Sequence, residues 1–356
     1  MLRLINKIQN YAWGSLDALP SLLGQSPDGQ PQAELWLGAH ESAPSLAGGK
    51  PLDAVISAAP ERLLGAQVAA RFGGRLPFLL KVLAAAQPLS LQAHPSQAQA
   101  REGFAKENAS AIPLRAPHRN YKDPHHKPEL ICALTEFHAL CGFRKVEDSV
   151  RLLRGLGVDT TKLEREGLRA FFTHVMKTRV SLTKVRRVEG FERECALAEQ
   201  LLAAYPGDPG LIGALLLNYV VLQPGEALFL TAGNLHAYVR GTGIELMASS
   251  DNVLRGGLTP KHVDVPELLR VLDFTDGPVR VWRDDYAAPV DDFRLSRLQV
   301  DGEVALPPAA QILLVISGSV TLAGETFKQG ESVFVGADEH LTLSGHATVF
   351  RAAPGI

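Results

Sequence analysis

Hydrophobic and polar positions alternate over short runs in two regions of the chain, and this period of two predicts β-strands. The runs fall in residues 1–145 and 211–356, where turns containing glycine or proline separate them. Between the two regions, from residue 146 to about 205, apolar residues recur every three or four positions. That period is typical of helices buried on one side. The pattern therefore predicts a mainly β protein with an insertion of three or four helices.

The length of 356 residues is too great for one typical hydrophobic core and favours several domains. We expect residues 1–145 to begin a catalytic β jelly roll, 146–210 to form the helical insertion, and 211–275 to complete the first jelly roll. The last segment, 276–356, has short strands at near-regular spacing, which predicts a second jelly roll. It lacks a His-x-His or carboxylate cluster in its strands, so we expect it to be structural.

Two helix starts can be placed from capping signals. Ser96 follows the strand-like run that ends near His94, and Gln99 completes a capping box, so a helix is predicted to about Asn108. A second helix is predicted over residues 259–272, with Thr259 as its N-cap and a proline at the first helical position.

Composition and charge exclude several functional classes. The chain is 46% hydrophobic with a formal net charge of −2, so no overall field would attract nucleic acid or an anionic membrane. Cys132, Cys141 and Cys195 form no C-x-x-C pair, which argues against a disulfide framework or a cysteine-based zinc site. No apolar run reaches 18 residues. We therefore expect a cytoplasmic, soluble protein.

Four side chains form a candidate metal site. Gln92 and His94 stand two positions apart in a strand, so they project from one face. Glu129 ends a polar loop rich in histidine and lysine at the entry to another strand, and His236 follows a glycine turn. The simpler alternatives are a buried histidine beside a polar strand residue, and a solvated Glu129 paired with Lys127. Nitrogen and oxygen donors without thiolate suit Zn²⁺ with an open position, while Fe, Mn and Co remain alternatives.

Several motifs in the same order carry a resemblance to a known family. They are Tyr11-Ala12-Trp13-Gly14-Ser15, Leu91-Gln92-Ala93-His94-Pro95, Tyr121-Lys122-Asp123-Pro124 with His126-Lys127-Pro128-Glu129, Gly233-Asn234-Leu235-His236-Ala237-Tyr238 and Ser250-Asp251-Asn252-Val253-Leu254-Arg255. Over roughly residues 1–275 the chain resembles type I phosphomannose isomerase, of the cupin superfamily. The resemblance implies cupin-type jelly rolls with a helical insertion. It also implies one zinc ion per chain and interconversion of mannose 6-phosphate with fructose 6-phosphate.

The resemblance also assigns roles to individual positions. The zinc ligands would be Gln92, His94, Glu129 and His236; the catalytic positions would be Arg255, Lys127, His126 and Glu245; the substrate and phosphate contacts would be Lys81, Ser90, Tyr238 and Trp13. The sequence departs from the family at His125, where asparagine is common, and at Thr231 and Glu41, where proline is common. His125 leaves open which imidazole of the His125–His126 pair faces the pocket.

The chemistry of the reaction is consistent with these positions. Aldose–ketose isomerisation opens the sugar ring and moves a proton between C2 and C1 through an enediol, and a divalent ion beside the sugar oxygens would polarise them. His126 could move the ring-opening proton. Either Lys127 or Glu245 could carry the proton between carbons, and Arg255 could bind the phosphate or the enediolate. The sequence alone does not choose within either pair.

Two other functional classes fit a jelly roll with a metal site. One is a non-catalytic cupin that binds a sugar phosphate as a sensor, and the loss of Lys127, Glu245 and Arg255 would have favoured it. The other is a metal oxygenase, which Gln92 disfavours because such sites are rich in histidine. We expect a monomeric zinc isomerase whose partner is a small sugar phosphate, without nucleic-acid or membrane partners.

Overall fold

The computed structural model describes residues 1–283 and 286–356, which form two antiparallel β-sheets and a group of helices. The strands are β1 (Leu2–Ile5), β2 (Lys7–Gln9), β3 (Glu34–Gly38), β4 (Leu46–Ala47), β5 (Lys50–Pro51), β6 (Phe78–Ala85), β7 (Leu91–Ala93), β8 (Glu129–Ala133), β9 (Phe137–Phe143), β10 (Leu217–Leu222), β11 (Ala227–Leu230), β12 (His236–Ala248), β13 (Leu254–Gly257), β14 (Arg294–Ala305), β15 (Gln311–Leu322), β16 (Glu325–Lys328), β17 (Ser332–Val335) and β18 (Thr342–Ala353).

The helices are α1 (Ala18–Leu22), α2 (Leu52–Ala58), α3 (Pro60–Leu64), α4 (Ala66–Phe72), α5 (Gln97–Ala109), α6 (Val146–Gly155), α7 (Thr161–Thr178), α8 (Glu192–Ala204), α9 (Gly210–Leu215) and α10 (Val265–Val271). The prediction of a mainly β fold with a helical insertion is confirmed. None of the helices in the described part of the chain is both long enough and apolar enough to span a bilayer.

The first sheet contains ten strands and follows the order β10-β9-β12-β6-β3-β2. β7 and β8 also pair with β12, while β13 pairs with β7 and β11 with β8. The second sheet contains eight strands in the order β14-β18-β15-β17-β1-β4-β5, with β16 beside β15. We refer to the ten-stranded sheet as the first sheet and to the other as the second sheet.

Opposite faces of the first sheet meet different surroundings because side chains alternate along each strand. Leu80 and Val82 of β6 pack in one cluster with Ile312 and Leu314 of the second sheet. Leu83, the neighbour of Val82, points into a separate cluster with Ile131 and Tyr238. We call the face that carries Leu83 and Ile131 the inner face. The outer face therefore joins the two sheets, while the inner face packs in a cluster of its own.

The helices of residues 146–215 pack on another part of the first sheet. Phe171 and Phe172 of α7 and Leu201 of α8 share a cluster with Leu91 and Leu140, which belong to β7 and β9. Apolar residues at the predicted three- and four-residue spacing thus cover strands of the first sheet. This arrangement shields β7, which leads directly to His94, from solvent.

The N-terminal segment contributes to both sheets. β1, β4 and β5 pair within the second sheet, where Leu2 lies opposite Phe334 of β17, whereas β2 and β3 belong to the first sheet. Three strands from residues 1–145 thus pair in the sheet that residues 276–356 otherwise form. Local alternation predicts that a strand forms but carries no information about its distant partner, which explains the difference.

The two predicted helix starts have different outcomes. Ser96 caps α5, because its side chain accepts a hydrogen bond from the Gln99 amide while the Gln99 side chain binds the Ser96 amide, as predicted. The prediction of a helix over residues 259–272 capped by Thr259 is wrong in its start. Asp264 is the N-cap of α10, and its side chain accepts from the Glu267 amide. Glu267, three residues after Asp264, is the glutamate that the capping-box pattern requires.

A β-bulge interrupts β12 between Tyr238 and Arg240, where its register with β9 shifts. A bulge adds one residue to one strand and so changes which face the following side chains occupy. His236 and Glu245 are nine positions apart, an odd number that would place them on opposite faces of a regular strand. With the extra residue, Glu245 lies on the inner face, opposite Lys81 and Ile131. Tyr238 lies on the same face.

We expect Ser96→Ala to lower the free energy of unfolding by about 1 kcal/mol, because the orphan amide at the start of α5 loses its side-chain acceptor. Ser110→Ala is the matched control. Ser110 ends the same helix, is exposed, and makes no side-chain hydrogen bond within the described chain. Urea unfolding of both variants measures the difference, and equal stabilities would contradict the capping role.

Candidate metal centre and active site

Three of the candidate ligands come together at the ends of strands. His94 follows β7, Glu129 is the first residue of β8, and His236 is the first residue of β12. Their ligand atoms all lie within 4.8 Å of one another, and all three residues are buried. Pairing of β7 and β8 with β12 brings together three segments that are far apart in the sequence.

The hydrogen bonds of the two imidazoles leave their Nε2 atoms available. His94 Nδ1 lies 2.7 Å from the Asn252 carbonyl oxygen, and His236 Nδ1 lies 3.0 Å from that of Asn234. Each Nδ1–H therefore donates to the backbone, and the neutral ring has its lone pair on Nε2. Each Nε2 atom lies 3.3 Å from a different oxygen of Glu129. His94 Nε2 is buried and makes no hydrogen bond in the described structure.

These donors fit a zinc ion. Two ligands about 2.1 Å from one tetrahedral zinc ion lie roughly 3.4 Å apart, close to the separations from Glu129 to the two imidazoles. A buried nitrogen without a hydrogen-bond partner, such as His94 Nε2, normally has an explanation, and a metal ion provides one. Backbone acceptors behind both rings also match the usual support of metal-bound histidines.

Electrostatics keep the ligands in the forms that bind metal. Burial lowers the pKa of His94 to about 4, so its ring is neutral at pH 7. Burial alone would raise the pKa of Glu129, but the positive charge of Lys127 holds it well below its usual range. Lys127 Nζ lies 2.9 Å from Glu129 Oε1. The centre therefore offers the neutral imidazole of His94, the imidazole of His236 and a carboxylate.

Gln92, the fourth ligand predicted from the sequence, stands in register with His236. It lies directly opposite His236 across the β7–β12 pair, and directly opposite Arg255 across the β7–β13 pair. Residues that face each other in an antiparallel ladder project from the same side of the sheet. Gln92, His236 and Arg255 thus form one row across three strands.

A buried charge cluster lies on the inner face beside this centre. Lys81 Nζ lies 3.0 Å from Glu245 Oε2 and 3.5 Å from Glu34 Oε1, and all three residues are less than 10% exposed. Trp36 donates from Nε1 to Glu34 at 2.7 Å. Burial raises the pKa of Glu245 although Lys81 opposes the shift, while the pKa of Lys81 is raised by Glu245 and Glu34 against the effect of burial. We call Glu34, Lys81 and Glu245 the charge cluster.

The predicted substrate contacts surround the same face. The Tyr238 hydroxyl is buried without a hydrogen-bond partner in the described structure, and burial together with Glu245 raises its pKa. Trp13 packs against the cluster that contains Tyr238 and stacks on Tyr11, with 5.7 Å between ring centroids. Ser90 is partly buried, one residue before β7.

Arg255 and His126 have different surroundings. Arg255 is half-buried, its side chain makes no hydrogen bond or ion pair within residues 1–283 and 286–356, and burial lowers its pKa. His126 Nε2 lies 2.9 Å from the Asp292 carboxylate. His125 contacts Arg75 instead, with 2.7 Å between Nε2 and Nη2. Neither imidazole of this pair belongs to the cluster of metal ligands.

Sequence reasoning missed several members of the site. Glu34 is one of them, because a glutamate in an apolar strand gives no local signal of its partner in β6. The contact between Asp292 and His126 joins segments more than 160 residues apart, and His40 lies 3.3 Å from Asp251 in the same way. A polar residue within a buried strand, such as Glu34 beside Trp36, is the signal that could have been used.

The fold and the site define a metal-binding protein of the β class, with a nitrogen- and oxygen-donor centre inside a sheet and an acid–base cluster beside it. The family model of the catalytic domain of type I phosphomannose isomerase matches residues 1–146. The mannose-6-phosphate isomerase of Escherichia coli (strain K12) is 41% identical over 387 residues, covering 99% of each chain. The human mannose-6-phosphate isomerase is 34% identical over 408 residues, covering 94% of this chain and 93% of its own.

Solved structures agree with the sequence comparisons. A mutant of phosphomannose isomerase from Salmonella typhimurium has a TM-score of 0.92 at 39% identity, covering all of both chains. A zinc-bound mannose 6-phosphate isomerase has a TM-score of 0.88 at 38% identity, covering 100% of this chain and 99% of its own. The chain belongs to the type I phosphomannose isomerase family. The resemblance drawn from the motifs is confirmed.

We expect Lys81→Met to lower the free energy of unfolding by about 3–5 kcal/mol, because two buried carboxylates lose their cation. Adding Glu34→Gln should restore part of the loss, since one uncompensated charge is removed. Lys162→Met is the matched control: Lys162 pairs with Glu166 at 2.6 Å, but both side chains are more than one-third exposed. Denaturant unfolding compares Lys81→Met, the double variant and Lys162→Met with the wild type. Equal losses at positions 81 and 162 would show that burial of the charge cluster has no energetic consequence.

Proposed function

We propose that the protein is a zinc-dependent mannose-6-phosphate isomerase, which interconverts mannose 6-phosphate and fructose 6-phosphate by proton transfer through an enediol. The observation that carries the proposal is the buried set of His94, Glu129 and His236, next to a carboxyl group whose pKa is raised. The family membership and the zinc-bound relative support it.

The residues that would hold zinc are His94, Glu129 and His236, with Gln92 as the proposed fourth ligand. When bound, the ion would polarise the sugar oxygens at C1 and C2 while negative charge develops on them. Two imidazoles, one carboxylate and one neutral amide would leave this centre with a net positive charge. Such a centre favours bound hydroxyl and carbonyl oxygens.

We propose Glu245 as the group that moves the proton between C2 and C1. Burial raises its pKa above the ordinary value of a carboxyl group, and a raised pKa favours a group that both accepts and releases a proton. Lys127 was the other candidate from the sequence. Its Nζ lies 2.9 Å from the Glu129 carboxylate, so this side chain already pairs with a candidate metal ligand.

The remaining roles follow from position. His126, oriented by Asp292, is proposed to move the ring-opening proton, and Lys81 to hold the Glu245 carboxyl group in place. Tyr238, with its unpartnered hydroxyl, Ser90 and the ring of Trp13 are proposed to contact the sugar phosphate. Flat aromatic rings stack well on the apolar faces of sugars.

We also propose that the enzyme is a cytoplasmic monomer with a helical insertion over residues 146–210 and a structural C-terminal jelly roll over residues 276–356. All three cysteines are buried and free, as suits a reducing compartment. Burial raises the pKa of Cys132 to about 11 and that of Cys141 to about 12, so neither thiol forms a reactive thiolate at neutral pH.

We expect a chelator to abolish turnover of fructose 6-phosphate and added zinc to restore it, because the polarising charge leaves with the metal. A proton NMR time course follows the appearance of mannose 6-phosphate before chelation, after chelation and after addition of zinc. Glu129→Gln should stay inactive after zinc addition, since the centre loses its carboxylate.

A different set of results would favour the sensor. If the sugar phosphate binds without turnover in every metal state, the isomerase proposal fails and a non-catalytic binding protein takes its place. Isothermal titration with fructose 6-phosphate on the same samples measures that binding.

We expect Arg255→Lys to lower kcat about 10- to 100-fold with little change in KM, because Arg255 lies beside Gln92 in the row of metal-site residues, near the reacting end of the sugar. Arg240→Lys is the matched control. Arg240 is an exposed residue of β12 whose guanidinium contacts Glu136 and His138. A rise in KM with unchanged kcat would place Arg255 at the phosphate instead.

A further inference from the structure

The stretch Ser250-Asp251-Asn252 is part of the matching motifs, yet no role follows for Asn252 from the reaction. Asn252 is completely buried between β12 and β13. Its carbonyl oxygen accepts the hydrogen bond from His94 Nδ1 at 2.7 Å. Its backbone therefore orients one of the candidate zinc ligands.

The side chain of Asn252 bonds to a different segment. Its Oδ1 accepts from the amides of Lys122, at 2.7 Å, and Asp123, at 3.3 Å. Its Nδ2 donates to the carbonyl oxygens of Asp123 and His125, each at 2.8 Å. The side-chain amide thus bonds to the backbone of residues 122–125 as a neighbouring strand would. The next two residues are His126 and Lys127, which are proposed site residues.

Asp123 makes a second connection between the same segments. Its carboxylate accepts from the Ser250 hydroxyl, the Asp251 amide and the His125 amide, each at 2.9 Å, and from Asn252 Nδ2 at 3.3 Å. None of these bonds reaches His94. Asn252 and Asp123 therefore both fix the loop, but only Asn252 connects it to a metal ligand.

We propose that Asn252 is a positioning residue that fixes two parts of the site together: the ring of His94, through its backbone carbonyl, and the loop of residues 122–127, through its side-chain amide. Both Oδ1 and Nδ2 of the side-chain amide bond to the loop. Rotation of the Asn252 carbonyl away from His94 would therefore break the loop contacts as well. The part of this proposal that concerns turnover rests on the proposed isomerase function.

The test compares Asn252→Asp with the wild type. The substitution keeps the shape but replaces the Nδ2 donor by an acceptor, which then faces the carbonyl oxygens of Asp123 and His125. Repulsion there should displace residue 252 and so weaken the support of His94. We expect zinc affinity, measured by competition with a chelator of known affinity, to fall about 10- to 100-fold. The kcat/KM of zinc-saturated protein should fall as well, with faster exchange of the Lys122 and Asp123 amide protons.

Two further variants separate this role from general destabilisation. Asp123→Ala releases the loop from residues 250 and 251 and removes the 3.3 Å bond from Asn252 Nδ2 to the carboxylate. It leaves the four Asn252 side-chain bonds to backbone atoms, so kcat/KM should fall while zinc affinity stays at the wild-type value. Gln311→Ala removes another fully buried amide, which in the second sheet contacts Arg351 and the Pro307 carbonyl. It should lower stability without changing zinc affinity, kcat/KM or loop exchange.

The proposal is overturned if Asn252→Asp retains wild-type zinc affinity, or if Gln311→Ala loses as much zinc affinity as Asn252→Asp does. Asn252→Ala, read by the same zinc competition, decides the matter if the aspartate variant does not fold. Absence of isomerase activity in the zinc-loaded wild type would refute the proposed function alone. Zinc competition and amide exchange would still test Asn252, since neither measurement depends on turnover.

Discussion

The Glu129 carboxylate is a charge removed from water, and the structure around it supplies the partners that make this possible. A buried carboxylate is costly unless cations or hydrogen-bond donors surround it. Lys127 and the two imidazoles of His94 and His236 lie within 3.3 Å of its oxygens. Because the two imidazoles come from distant segments and Lys127 from the adjoining loop, strand pairing, loop position and metal binding all depend on the same small volume.

The first sheet uses its two faces for different purposes. Its outer face packs on the second sheet through Val82, Ile244 and Ile312, and this contact supplies apolar burial. Its inner face carries Lys81 and Glu245, which only a rigid surrounding can hold at 3.0 Å. Alternation along a few strands thus places apolar contacts on one face and buried charges on the other. The second sheet packs behind the site. Within it, β17 pairs with β1 of the N-terminal segment.

Local sequence patterns predicted the elements well and their partners poorly. The spacing of Gln92 and His94 placed both residues at one strand, and the capping box at Ser96 placed the helix that follows, because both signals lie within a few residues. The start of α10 was misplaced because Thr259 and Asp264 both resemble caps, and only tertiary packing chooses between them. The pairing of Glu34 with Lys81 depends on β3 lying beside β6. That adjacency is a property of the whole fold, so no window of sequence contains it.

The bulge between Tyr238 and Arg240 has a consequence for how this chain can vary in length. His236 and Glu245 share a face only because one extra residue lies between them. Gain or loss of a single residue in this stretch would turn Glu245 towards the apolar contact between the sheets, and the carboxyl group would be exchanged for Ile244 or Leu246. Substitutions can accumulate here one at a time, but insertions and deletions cannot. The spacing of these two residues is therefore expected to be the same in every active descendant of this sequence, even where the residues between them differ.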